Sequence, residues 1–134
     1  MNFITGLNST ASALQAEKTR MDVISQNIAN AHTTRDVNGE VYKRKIVTFE
    51  SALDASSRSS GVRISNISDD STPGELIHDP QHPHADKDGM VEMPNVNTAM
   101  EMVDLISASR AYEANLSVAR NARQMATKAL SIGR

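Results

Sequence analysis

The C-terminal segment 95–134 carries two adjoining apolar faces at helical spacing, and this feature limits the fold more than any other. Its periodicity predicts one long helix. The first face carries three leucines: Leu105, Leu116 and Leu130. The second face carries a separate apolar set: Val103, Val118 and Met125. Because one partner helix covers only one of these faces, the other predicts contact with a further neighbour.

The N-terminal segment 1–34 shows a heptad-like stripe that predicts a helix packed against a second helix. Four apolar residues recur every seven positions: Leu7, Leu14, Met21 and Ile28. We expect this stripe to pair with the leucine face of the C-terminal helix, which leaves the other face to neighbouring subunits. Thr98 followed by Glu101 predicts a capping box at the start of the C-terminal helix, and Gly133 predicts its C-cap.

The middle segment 35–94 predicts short strands and loops. Candidate strands lie at 41–49, 62–64 and 75–78, the serine-rich stretch 55–61 predicts a flexible linker, and the proline-rich stretch 79–94 predicts an extended loop. The chain is therefore expected to be mainly α. Its three segments, 1–34, 35–94 and 95–134, would form two long terminal helices paired as a coiled coil, with a small β-containing middle.

The composition excludes several classes of function. Lys and Arg total 14 and Asp and Glu total 16, whereas dedicated nucleic-acid binders show a basic excess. The absence of cysteine removes disulfides and thiolate chemistry. No apolar run approaches the about 18 residues of a membrane span, and no cleaved leader is expected at the start. No catalytic motif is visible, so we expect no enzyme activity, no cofactor and no small-molecule substrate.

The loop His78–Gly89 is the most tempting candidate for metal chemistry, since it holds His78, His82 and His84 together with three aspartates. No known zinc spacing matches it. An EF-hand alignment puts His84 and Asn95 at the two end positions where calcium needs carboxylates. A proline-stiffened structural loop is therefore the main interpretation, and a small metal-dependent hydrolase built on His78–Asp88 is the alternative.

Two basic clusters leave two interpretations open. Lys43-Arg44-Lys45 lies in a strand pattern, which favours a charge-protected edge strand over an anion-binding site. Over residues 110–134 the C-terminal helix has a single carboxylate, Glu113, against five positive charges: Arg110, Arg120, Arg123, Lys128 and Arg134. This excess suits either an acidic partner surface or a solvated face. The acidic stretch from Asp69 to Asp88, on the same or a neighbouring chain, is a candidate partner.

Three motifs, in order along the chain, resemble those of the bacterial flagellar rod and hook proteins. The first has the core residues Asn27, Ile28, Ala29, Asn30 and Thr33. The second lies in 79–96 and ends with Pro94 and Asn95 before Val96, a pattern similar to the proximal rod subunits. The third lies in 112–133 and begins with Tyr112 and Asn115.

This resemblance implies a structural subunit of the hollow proximal rod, which transmits torque and lets exported subunits pass. It implies export by the flagellar type III apparatus without a cleaved leader, and a place in the periplasmic part of the basal body. The implied partners are other proximal and distal rod proteins and the adaptor that joins the rod to the membrane ring and export gate. A soluble coiled-coil export chaperone or regulator is a further alternative.

Overall fold

The computed structural model describes residues 3–54 and 59–132. Two long helices, α1 (Phe3–Ala29) and α2 (Thr98–Ile132), bracket four strands in the chain. The strands are β1 (Lys45–Asp54), β2 (Ser59–Asp69), β3 (Leu76–His78) and β4 (Met90–Glu92). Among the described residues they form two separate two-stranded sheets, β1–β2 and β3–β4. No helix in this part of the chain is long and apolar enough to cross a membrane.

The predicted mainly α fold class is wrong, because the chain is a mixed α and β structure. The terminal helices of 27 and 35 residues are present, but β1 begins at Lys45 rather than at 41 and ends at Asp54, and β2 has 11 residues rather than the three expected at 62–64. Ser59 and Ser60 begin β2 although their composition indicated a linker, and 55–58 lie outside the described residues. Backbone hydrogen bonds between strands do not depend on side-chain type, so pairing extends a strand through residues of low β propensity.

Both sheets are antiparallel. Between β1 and β2, Ser65 Oγ donates to Thr48 O at 3.3 Å, and Lys45 Nζ pairs with Asp69 at 3.2 Å. The residue numbers of the partners on β2 therefore decrease as the residue numbers along β1 increase. In the second sheet Ile77 pairs with Val91 at the centre of a three-residue register. Strand β4 lies in the stretch predicted to be an extended loop, since three residues are too few to show a periodic pattern.

The start of α2 differs from the predicted capping box. Asn97, not Thr98, caps the helix: its Oδ1 accepts from Ala99 N at 3.1 Å and from Met100 N at 3.2 Å. Glu101 is therefore free of the capping role, and its side chain is buried elsewhere. The predicted C-cap at Gly133 lies outside the described residues.

The chain divides into two compact units. The terminal unit comprises the described parts of Met1–Met21, Thr48–Asn66 and Ile106–Arg134, and the central unit comprises Asp22–Val47 and Ile67–Leu105. Each unit takes residues from all three sequence segments, and the division into 1–34, 35–94 and 95–134 stays a prediction. Among the described residues the terminal unit buries two apolar side chains, Ala16 and Ala108.

The central unit buries a larger and more polar set. Its buried apolar residues are Val23, Ile24, Ala31 and Val91. Its buried polar residues are Asn27, Thr34 and Glu101. Since buried polar groups are costly unless they are hydrogen-bonded, the partners of these three side chains decide how this unit is held together.

Candidate functional site

Asn27 is the centre of a buried polar cluster in the central unit. It lies one turn after Val23 and one turn before Ala31, so helical spacing puts it on the buried face of α1. Its Oδ1 accepts from Lys45 N and from Tyr42 Oη, both at 2.9 Å. Its Nδ2 donates to Lys45 O at 2.9 Å and to Glu101 Oε2 at 3.0 Å. All four hydrogen-bonding positions of the amide are used.

The paired bonds between Asn27 and the backbone of Lys45 imitate those of a neighbouring strand. One side chain thereby fixes the end of α1 against the first residue of β1. The Tyr42 hydroxyl contact extends this anchor, and burial together with the nearby carboxylates raises the pKa of that phenol.

Glu101 is the second member of the cluster and is 1% exposed. Its Oε2 accepts from Asn27, and its Oε1 accepts from Arg44 Nε at 2.5 Å. The hydrogen bond with Glu101 is the main cause that raises the pKa of Arg44. Burial lowers this pKa, and the Coulombic attraction of Glu101, Asp104 and Asp70 raises it, so that it lies above its ordinary value. Arg44 also lies 3.4 Å from Asp104 and 3.9 Å from Asp70. A buried carboxylate is tolerated only when it is paired, so Arg44 is the group that permits Glu101 to be buried.

Asn95 is the third member of the cluster and contacts it through the backbone of Arg44. Its Oδ1 accepts from Arg44 N at 2.7 Å, and its Nδ2 donates to Asp70 O at 3.1 Å and to Thr72 O at 2.8 Å. The residue before it, Pro94, is buried. The side chain of Asn95 thus ties the start of β1 to the turn that follows β2.

A smaller set of bonds shapes the turn after α1. Asn30 Nδ2 donates to Gln26 O at 2.8 Å, and Asn30 Oδ1 accepts from Thr33 Oγ1 at 3.1 Å. Thr34 is buried and its hydroxyl lies 2.7 Å from His84 Nδ1. Four of the polar signature residues therefore make bonds that organise the central unit: Asn27, Asn30, Thr33 and Asn95.

Hydrogen bonds between its own residues shape the histidine loop, His78–Gly89. Asp86 Oδ1 accepts from Asp88 N at 2.9 Å and from Met90 N at 2.8 Å, and Gly89 has a φ of 71°. The rings of His82 and His84 pack edge to face at 5.3 Å. Within the described residues, no group of three or more His, Asp or Glu side chains is placed to hold a metal ion.

The apolar faces of α2 differ in exposure. The second face is open to solvent, with Val103 62% exposed, Val118 55% and Met125 58%. On the leucine face Leu105 and Leu116 are half-buried, whereas Leu130 is 76% exposed. The four stripe residues of α1 are all half-buried: Leu7, Leu14, Met21 and Ile28. Which partner covers each face stays a prediction.

The remaining signature residues make fewer contacts. Tyr112 and Asn115 are half-buried on α2, and Asn115 Nδ2 donates to Ala111 O within the same helix at 3.0 Å. Ala29 is exposed at the end of α1.

Sequence reasoning missed Arg44, Glu101 and Tyr42 as members of one site. A signal was present for Glu101, since it lies four residues before Leu105 and seven before Ala108 and so falls on the apolar face of α2.

Comparison with known proteins adds independent information. Residues 7–35 match the family model "Flagella basal body rod protein", and residues 87–132 match "Flagellar basal body rod FlgEFG protein C-terminal". The chain is 42% identical to the flagellar basal-body rod protein FlgC of Bacillus subtilis, over all of both chains. It is 39% identical to FlgC of Borreliella burgdorferi and 38% identical to FlgC of Yersinia enterocolitica, over 98% and 99% of each chain respectively.

The first family model covers the motif around Asn27, and the second covers Asn95 and the whole of α2. The resemblance drawn from the three sequence motifs is confirmed. The chain belongs to the FlgC family of flagellar basal-body rod proteins.

Proposed function

We propose that this chain is a structural subunit of the flagellar basal-body rod, where it assembles with other rod components. The observation that carries the proposal is the full-length similarity to FlgC proteins. The physical support is the open face of α2, because a row of exposed apolar side chains on a long helix marks a surface that binds other proteins.

The spacing of the open face suits packing between helices. Val118, Met125 and Ile132 are seven residues apart and are 55%, 58% and 85% exposed. Such a heptad stripe fits the seam of a coiled-coil contact. Neighbouring rod subunits are the proposed source of the helices that cover it.

The finer assignment within the rod is also a proposal. We place the chain in the proximal rod, in the periplasmic part of the basal body, as part of the hollow shaft that transmits torque and lets exported subunits pass. The proposed partners are the other proximal and distal rod proteins, the adaptor at the membrane ring and export gate, and the type III export apparatus, which would take the chain without a cleaved leader. The motif 79–96 supports the proximal position.

A purely structural role is supported by how the buried carboxylate is used. Both oxygens of Glu101 already have partners, Asn27 and Arg44, and the side chain is 1% exposed, so a substrate or a metal has no open access to this group. The buried polar side chains of the central unit are hydrogen-bonded to other residues of that unit, which is the pattern of a scaffold.

Fractionation of basal bodies tests the proposal. We expect the chain to co-purify with detergent-extracted basal bodies, and a deletion strain to lack hook and filament and to be non-motile. A soluble chaperone or regulator would instead stay in the cytoplasm, and a deletion strain that swims would contradict the rod assignment. Metal analysis of the purified protein addresses the hydrolase alternative, which requires a stoichiometric ion.

A further inference from the structure

The small net charge of the chain hides a strong segregation of charge between the two units. The terminal unit has nine Lys and Arg against four Asp and Glu, a net charge of +5. The central unit has five Lys and Arg against twelve Asp and Glu, a net charge of −7. Fields of opposite sign on one chain favour contact between unlike parts of different copies.

The positive charge of the terminal unit is concentrated on one stretch of α2, which we name the basic stripe: Arg120, Arg123 and Lys128. These three side chains are exposed, and they line a shallow surface groove of about 430 Å³ together with Gln124 and Thr127. None of the three forms an ion pair with another described residue, so their charge is not used within one copy. Exposed apolar residues Met125 and Leu130 lie beside the stripe.

The negative charge of the central unit is concentrated around β3 and β4, in a patch we name the acidic hairpin: Glu75, Asp88 and Glu92. All three residues are exposed, and their carboxylates form no hydrogen bond or ion pair with the described residues. Leu76 and Ile77 in β3 are 62% and 44% exposed within this patch. Both surfaces therefore combine exposed apolar residues with unpaired charges, which is the anatomy of a protein interface.

We infer that the basic stripe of one copy binds the acidic hairpin of a second copy of this chain. The argument for a second copy is that both halves of the complementary pair are on the same sequence, each unpaired within it. Because the two surfaces differ, the contact is heterologous and can repeat without closing, as an open helical assembly requires. The inference rests on the proposed rod function and names one contact between adjacent subunits.

Charge exchange in the purified full-length chain tests the inference. The basic-reversed variant carries Arg120→Glu, Arg123→Glu and Lys128→Glu, and the acid-reversed variant carries Glu75→Lys, Asp88→Lys and Glu92→Lys. In sedimentation velocity we expect the unchanged chain to associate with rising concentration at about 0.01 M salt and to be monomeric at about 1 M salt, where the Debye length falls from about 30 Å to about 3 Å. Each variant alone should stay monomeric, because it carries one sign of charge on both surfaces.

An equal mixture of the two variants should regain association, since each then offers the other an opposite surface. The single variant Arg123→Glu should weaken association, and Lys18→Glu is its matched control, because Lys18 is an exposed cation on α1. The control should leave association within about twofold. Circular dichroism of each variant checks that the fold is kept.

The inference is overturned if the unchanged chain is monomeric at both salt concentrations, or if the mixture does not regain association. If the chain is nevertheless present in basal bodies, the rod function stands and the basic stripe serves a different rod protein. An association that persists in 1 M salt and in both variants belongs to the apolar face of α2 and also overturns the inference. Absence of the unchanged chain from basal bodies is a separate result that contradicts the rod function itself.

Discussion

The central unit and the terminal unit differ in the interactions that stabilise each of them internally. The central unit encloses Asn27 and Glu101, each 1% exposed, and every polar atom of these two side chains has a partner. The terminal unit has two buried alanines among the described residues, whereas Val118 and Met125 on its part of α2 are more than half exposed. Both units expose large apolar side chains, but among the described residues only the central unit encloses a buried polar cluster whose hydrogen bonds are all made.

This difference suits a subunit that must keep a defined shape and also bind neighbours. Directional hydrogen bonds between residues 27, 45, 95 and 101 specify one arrangement of the central unit. Apolar surface is less directional and gains stability only when a partner removes it from water. We therefore expect changes in the central unit to act on folding, and changes on the open face of α2 to act on assembly.

Substituting Val118→Asp should have the largest effect and should act on assembly. A carboxylate in an apolar contact costs several kcal/mol when it has no partner. We expect rod assembly to fail and cells to be non-motile, with no hook or filament. Because Val118 is 55% exposed in the single chain, the free energy of unfolding should change by no more than about 0.5 kcal/mol.

Basal-body fractionation and swimming assays measure the first effect, and denaturant unfolding measures the second. The control is Ser117→Asp, an exposed neighbour on α2 outside the apolar stripe. A Val118→Asp strain that swims normally would show that the open face is not an assembly surface.

Removing Arg44 should have the largest effect on folding. Arg44→Ala leaves the buried Glu101 carboxylate without its cation, and breaking such a pair costs about 3 to 5 kcal/mol. Denaturant unfolding of the purified chain measures the loss. Lys45→Ala is the matched control, because Lys45 pairs with the exposed Asp69, and such surface pairs contribute about 0 to 1 kcal/mol. Equal losses in the two variants would contradict a special role for Arg44.

Asn27→Ala should destabilise the chain somewhat less, by about 2 to 3 kcal/mol, since Lys45, Tyr42 and Glu101 would lose hydrogen-bond partners in a buried place. Asn30→Ala is the control: it is three residues further along and binds within its own turn. The free energy of unfolding of Asn30→Ala should fall by about 1 kcal/mol. An equal loss of stability in Asn30→Ala and Asn27→Ala, measured by thermal or urea unfolding, would contradict a central role for Asn27.

The sequence predicted the parts of the molecule that have a local signal. Apolar periodicity located both helices, and the motif around Asn27 identified the family. The capping-box pattern at Thr98 was misleading because Asn97, one residue earlier, caps the helix with its own side chain. The bonds that join Asn27, Arg44, Asn95 and Glu101 connect positions far apart in sequence, so no local pattern reveals them.

The length of β2 was underestimated for a related reason. The serines at the start of β2 are poor strand formers by themselves, and their place in a strand depends on pairing with β1. Tertiary pairing therefore changed the fold class from mainly α to mixed.

The smallest predicted effect concerns acid sensitivity of the turn 36–40. Backbone donors from Glu40 and Asn38 lower the pKa of Asp36 below its ordinary value of 3.8. A lowered folded-state pKa stabilises the fold above the unfolded-state value, and this contribution is lost as pH falls through the folded value. Unfolding measured from pH 5 down to about pH 2 should show a shallower pH dependence in Asp36→Asn than in the unchanged chain. Identical slopes would show that this turn does not contribute.

Hydrogen exchange on the dilute monomer tests the contrast between the two units most directly. Exchange rates report local opening, and sedimentation can establish that the sample is monomeric. We predict slow exchange in the central unit, including 22–29 and 98–105, and fast exchange along α1 over 10–21 and α2 over 106–130, because their apolar faces await neighbours. Strong and equal protection across both units in a proven monomer would contradict the account.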